Sequence, residues 1–140
     1  MRTIAREAKQ ISIFLENRAG VVADLTDSLT DNEINIQAIT VLDTHDIGTL
    51  RMVVDNFDRA IQVFGDIGAA YMVTPVLTLE IPNVPGGFAR IARILGTAGI
   101  NIEYVYGSAI PGSERTLGVF RVNNVERALT LPYEGNGREP

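Results

Sequence analysis

Two short stretches of this chain carry residue types suited to holding a small zwitterionic group. Asn17 precedes Gly20 in "NRAG", and Asn83 precedes Gly86 in "NVPG". A glycine at the first turn of a helix lets a ligand approach free main-chain N–H groups, where the helix dipole favours a carboxylate. An asparagine amide both donates and accepts hydrogen bonds, so it suits a group that combines carboxylate and ammonium.

Each stretch is followed by "INI", which places Asn35 and Asn101 between isoleucines at the start of an extended segment. These asparagines would complete a site that the turn begins. The alternative is structural: the glycines make tight strand-to-helix turns and the asparagines satisfy nearby backbone groups. Arg18, inside the first turn, is then a solvated loop charge.

These stretches belong to an internal repeat. At a shift of 66 residues, seven of the twenty positions from Asn17 to Ile36 are identical to their counterparts. Further along, the offset becomes 68, which places Val54 on Val122 and Asn56 on Asn124. The two extra residues are best placed in the turn "IPGSE". The chain therefore contains two copies of one design.

Each copy predicts the order βαββαβ. In the first copy, an apolar strand "QISIFLE" precedes a helix with Val22, Leu25 and Leu29 at helical spacing. A hairpin of "INIQAITVLD" and "TLRMVVD" follows, then a helix N-capped by Asn56 or Asp58, then the strand "AYMVTPV".

The order βαββαβ predicts an α+β fold of two ferredoxin-like repeats that share an antiparallel sheet with helices on one face. The domains are residues 1–75 and 76–132, and residues 133–140 form a disordered tail. The second copy ends in "PYEGNGREP", so its last strand is missing or replaced. Strands around Pro75 are also candidates for exchange between copies or subunits.

The stretches "ENRAGVVADLTDSLTDNEINI" and "PNVPGGFARIARILGTAGINI" resemble ACT domains, the small regulatory modules that bind amino acids. The resemblance covers roughly residues 10 to 131. It implies that turn and strand residues of different modules face each other across an interface. Leu15 stands where the serine-binding version has a histidine, and Val84 replaces Arg18 in the second copy. The two sites should therefore differ.

By this resemblance, the ligand-binding residues are those of the two turns and the two strand starts. They are Asn17, Arg18, Ala19, Gly20, Val21, Asn35 and Ile36 in the first copy, and Asn83, Pro85, Gly86, Gly87, Asn101 and Ile102 in the second.

Composition disfavours several other functions. The net charge of −5 disfavours nucleic acid as a partner, and no apolar run is long enough to span a membrane. The start of the chain lacks the apolar core of a signal peptide, which predicts a cytoplasmic protein. With no cysteine and a single histidine, His45, we expect no metal site, and no cofactor motif is present.

The sequence thus predicts a non-enzymatic sensor that binds a free amino acid and regulates amino-acid metabolism as a homodimer or with an enzyme partner. One alternative is an adaptor that docks on a metabolic enzyme without any ligand. A remote alternative is acylphosphatase-like hydrolysis by Arg18 and Asn35. The loop typical of that enzyme is absent, and the second copy has no matching arginine.

Overall fold

The computed structural model describes residues 2–16, 18–44 and 47–134. Asn17 and His45 therefore lie outside the described residues. The elements in chain order are β1 (Ile4–Glu16), α1 (Val21–Thr30), β2 (Ile36–Thr44), β3 (Ile47–Val54), α2 (Phe57–Asp66), β4 (Tyr71–Pro82), α3 (Gly87–Thr97), β5 (Ile102–Ser108), β6 (Arg115–Val122) and α4 (Val125–Ala128).

The strands follow the order β2-β3-β1-β4-β6-β5 in a six-stranded sheet. The predicted α+β fold of tandem ferredoxin-like repeats is confirmed. The chain divides into a first unit, Lys9–Thr74, and a second unit, which combines the residues up to Ala8 with those from Pro75 onward. Both β1 and β4 are continuous strands that contribute one segment to each unit.

The core of the first unit lies between its two helices and one face of its strands. Ile11 pairs with Met52 and Ile13 with Leu50 across β1 and β3, and all four side chains are buried. Alternation along a strand places these side chains on one face, where Phe64 of α2 packs against them. Asn56 caps α2, because its side-chain oxygen accepts from the Arg59 N–H at 3.2 Å.

The second unit repeats this arrangement with α3 and α4. Leu77 and Leu79 of β4 and Phe120 of β6 form its core with Leu95 of α3. The second-copy helix α4 is only four residues long, and Asn124 caps it as Asn56 caps α2. Both α2 and the shorter α4 therefore begin at an asparagine N-cap.

The strand expected at the end of the second copy is supplied from the other end of the chain. Within the described residues, which stop at Glu134, no strand follows α4. Ile4–Ala8 of β1 belongs to this unit, Thr78 Oγ1 donates to the Arg6 carbonyl at 3.3 Å, and Ala5 packs against the core. The first domain was expected to begin at residue 1, whereas these residues complete the second unit.

The region expected to be a disordered tail begins with an ordered residue. Tyr133 is 4% exposed, and its hydroxyl donates to the Ala128 carbonyl at 2.6 Å. A buried tyrosine whose hydroxyl has a hydrogen-bond partner stabilises a core. The composition of the segment alone does not predict that Tyr133 is buried. Residues 135–140 lie outside the described part.

Among the residues described, no helix is long and apolar enough to cross a membrane. No group of three potential metal-ligating His, Cys, Asp or Glu side chains occurs in that part of the chain.

Candidate functional site

The loop from β4 to α3 is held in place by the β5–β6 connection. The Asn83 side-chain amide donates to the Ser113 carbonyl at 2.8 Å, and the Asn83 main-chain N–H donates to the Glu114 carbonyl at 2.9 Å. Gly86 takes the left-handed conformation, φ 84°, and serves as the N-cap of α3. Residues with a side chain rarely adopt this φ, which explains why position 86 is a glycine.

This loop forms one wall of a cavity of about 480 Å³ within the second unit. Its volume lies in the range of roughly 300–1,000 Å³ that small-molecule sites occupy. The other walls come from α3 and from the β5–β6 hairpin. The lining residues are Ile81, Pro82, Asn83, Val84, Phe88, Val105, Tyr106, Gly107, Thr116 and Gly118.

Aromatic rings form part of the cavity wall. Phe88 stacks on the fully buried Phe120 with ring centroids 5.8 Å apart and planes inclined by 16°. Phe88 itself is 52% exposed, so one side of this stack remains accessible. Phe88 is therefore an aromatic part of the wall that packs on the core through Phe120.

The cavity is uncharged. None of its lining residues carries a formal charge at neutral pH, and its polar groups come from Asn83, Tyr106 and Thr116. The nearby Arg115 guanidinium donates to the main-chain carbonyls of Glu80 and Arg2. The cavity therefore offers hydrogen bonds at a few points and apolar contact elsewhere.

The corresponding turn of the first unit is open to solvent over its described residues. Arg18, Ala19 and Gly20 are exposed, and Gly20 has φ 89° like its counterpart Gly86. The Arg18 Nε lies 3.8 Å from a Glu16 carboxylate oxygen, with both side chains mostly exposed. Such a pair contributes little to stability. Val21 begins α1 and is half-buried.

The two strand-start asparagines are held through their main-chain groups. The Asn35 N–H donates to Asp55 Oδ1 at 3.0 Å, and its carbonyl accepts from the Asp55 N–H at 3.0 Å. Asn101 makes the same pair with Asn123, at 3.1 and 3.3 Å. These bonds give both positions a structural role that uses neither the Asn35 nor the Asn101 side chain.

Predicted residues of one copy do not all come together. Asn83 lines the cavity, with Pro85, Gly86 and Gly87 following it in the loop, whereas Asn101 and Ile102 begin β5 at the far end of β6. Seven residues of strand separate these ends, about 23 Å. Arg18 and Asn35 are separated in the same way along β3, so they cannot form a hydrolytic pair within one copy.

Sequence reasoning missed most of the lining. Val84, Phe88, Val105, Gly107 and Gly118 were not candidates. One signal was available: at the β5–β6 positions the second copy has glycines where the first has Val41 and Leu50. Two glycines in place of two large side chains mark a position at which the packing of the two copies differs.

Comparison with known proteins agrees with this architecture. The chain matches the sequence model of the ACT domain pair over residues 6–134. It belongs to the ACT domain pair family. A protein from Bacteroides thetaiotaomicron, of known crystal structure, is 34% identical, with a TM-score of 0.82 over 89% of this chain and 85% of that one.

Two proteins of lower identity share the fold. The ligand-free regulatory subunit of aspartate kinase from Thermus thermophilus is 17% identical, with a TM-score of 0.68 over 91% of each chain. The corresponding subunit from Thermus flavus is 20% identical, with a TM-score of 0.61 over 91% of this chain and 92% of that one. A search of curated proteins found no match.

Proposed function

We propose that this ACT domain pair is a non-catalytic regulatory protein that binds a free amino acid in the cavity of its second unit. The observation that carries the proposal is the cavity itself. A loop bearing Asn83, a helix start and a hairpin line a half-open cavity of about 480 Å³ that is mostly apolar, at the turn that the sequence predicted. The aspartate kinase regulatory subunits named above support a regulatory role.

The polar groups are few and placed by the fold. Asn83 is oriented by two hydrogen bonds to the β5–β6 connection, and Thr116 lies on β6 nearby. Amide and hydroxyl groups can bond both ends of an amino acid without themselves being charged. Apolar walls beside these groups reduce the competition of water for such bonds.

Regulation would follow from differential affinity. An amino acid that contacts one arrangement of the protein better than another shifts the population toward it, by as much as the two affinities differ. A second copy or an enzyme would detect that shift. We retain the expectation that turn residues Asn17, Arg18, Ala19, Gly20 and Val21 of one module face Asn35 or Asn101, with Ile36 or Ile102, of another.

A thermal-unfolding screen with each of the twenty L-amino acids tests this function. A ligand at about 100 times its dissociation constant adds about 2.7 kcal/mol of stability, which raises the unfolding temperature by several degrees in a domain of this size. D-enantiomers are the matched controls. If no L-amino acid gives a shift, the sensor proposal fails and the ligand-free adaptor becomes the better explanation.

A further inference from the structure

The hairpin that lines the cavity has the same strand register as the hairpin of the first copy. Val41 pairs with Leu50 across the first hairpin, and Gly107 pairs with Gly118 across the second. Both hairpins also carry an irregularity at the same place, after Ile36 and after Ile102. The residues are therefore structural equivalents, and the second copy lacks two facing side chains that the first copy has.

A side chain at Gly107 or Gly118 would require neighbouring atoms to move. A Cβ on Gly118 would lie 2.6 Å from a ring carbon of Phe120, and one on Gly107 would lie 2.5 Å from the Leu117 carbonyl oxygen. Phe120 corresponds to Met52 in the first copy. The glycine at 118 therefore leaves room for an aromatic ring at 120.

That ring supports a second one at the cavity. Phe88 corresponds to Val22, so both members of the Phe88–Phe120 stack replace aliphatic residues of the first copy. Phe88 is half exposed and lines the cavity. A further ring placed on Phe88 would extend the stack, and such aromatic pairs contribute beyond the area that they bury.

The absence of charged lining residues restricts the side chains that a ligand of this cavity can have. Asn83 and Thr116 can hydrogen-bond the α-ammonium and α-carboxylate of an amino acid, but no lining residue offers an opposite charge to a further ionised group on its side chain, and burying such a group without a partner is costly. Val84 stands at the position of Arg18, which removes the cation that the first copy has there. A charged ligand side chain is thus disfavoured, and a small one would leave most of the volume unfilled.

We propose that the second-unit cavity selects free amino acids with an aromatic side chain, whose ring packs on Phe88. This specificity rests on the proposed function, because it names the ligand of the same site.

Calorimetric titration with L-phenylalanine, L-tyrosine, L-lysine, L-aspartate and L-threonine tests the specificity. We expect the two aromatic amino acids to bind at least tenfold more tightly than the other three. Tighter binding of lysine, aspartate or threonine overturns the aromatic specificity but leaves the amino-acid sensor standing. Binding of none of the five, together with no response in the thermal screen, rejects both proposals.

Two variants connect specificity to the named residues. Phe88→Val introduces the residue of the first copy at a half-exposed position, and we expect it to weaken L-phenylalanine binding at least tenfold. The double variant Gly118→Leu with Phe120→Met introduces the residues that the first copy has at these two positions, and it should abolish binding. Val22→Ala, at the position equivalent to Phe88, is the matched control and should leave affinity unchanged. Undiminished binding by Phe88→Val, in a variant that unfolds like the parent, overturns the proposal.

Discussion

At the scale of single residues, Gly87 allows the loop from β4 to α3 to pack closely against the end of β4. A Cβ there would lie 2.6 Å from the Pro82 carbonyl oxygen, which belongs to the backbone and cannot swing away. The first copy has Val21 at the same position, so this close approach belongs to the second loop alone. Any larger residue at position 87 would therefore require the loop or helix α3 to shift.

Gly87→Ala should lower the free energy of unfolding by about 1–3 kcal/mol, because the loop or helix α3 must shift to relieve the overlap. Gly96→Ala, in the same helix, is the control. No atom lies within 4 Å of the Cβ that it adds, so it should stabilise the protein by about 0.4–1 kcal/mol. Urea unfolding of both variants measures the difference. Equal effects would show that the Pro82 contact imposes no constraint.

Tyr133 makes stability depend on pH in the alkaline range. Burial raises its pKa from 10.0 to about 12, so the folded state holds the phenol proton more firmly than the unfolded chain does. The associated stability is fully present below pH 10, and it is lost as the pH rises from about 10 to 12.

The check is the unfolding midpoint in urea measured from pH 8 to pH 11.5. The parent should lose stability more steeply above pH 10 than Tyr133→Phe, which cannot ionise but lacks the 2.6 Å bond to Ala128. At pH 8 that variant should be less stable by about 1 kcal/mol. Parallel pH profiles would contradict this account of Tyr133.

At the scale of elements, β1 has the most consequential role because its two halves serve different units. Ile4–Ala8 fills the place that a final strand of the second copy would occupy. Ala5 faces the core of that unit, whereas the adjacent Arg6 is exposed. Alternation along the strand makes these neighbours a matched pair for mutation.

Ala5→Asp should lower the unfolding free energy by about 1–3 kcal/mol, since it places an unpaired carboxylate against the core. Arg6→Asp introduces the same side chain on the other face and should change stability by less than about 0.5 kcal/mol. Amide hydrogen exchange in β4 and β6 would report the loss locally. Equal protection in the two variants would show that the second unit does not depend on this strand.

The fold was largely predictable from the sequence because the repeat displays each element twice. Periodicity located the helices, and the turn residues located the hairpins. The origin of the last strand of the second unit was not predictable, since pairing between residues 4–8 and β4 joins segments some seventy residues apart. Local patterns contain no information about such distant partners.

The site was predictable only in part for a similar reason. The loop with Asn83 and Gly86 was recognised from its turn residues, whereas Phe88, Gly107 and Gly118 resemble ordinary helix and strand positions. Their significance comes from a difference in packing between the copies, which becomes visible only when the registers of the two hairpins are compared.

At the scale of the whole molecule, the two copies present different surfaces. The second unit has a stacked aromatic wall and an uncharged cavity, whereas the first has Arg18 on an exposed turn and the partly exposed Ile39 and Val41 on β2. Under the proposed function, the second unit would bind the amino acid and the first unit would offer a different surface to a partner. Occupancy of the amino-acid site would then alter the affinity for that partner.

The most direct test of the central claim is an NMR titration of the uniformly ¹⁵N-labelled protein with the amino acid that raises its unfolding temperature most. The account predicts saturable shifts of the amide resonances of Asn83, Val105, Gly107 and Gly118, with those of α2 unchanged. Saturable shifts confined to residues away from the cavity, or no shifts at all, would contradict it.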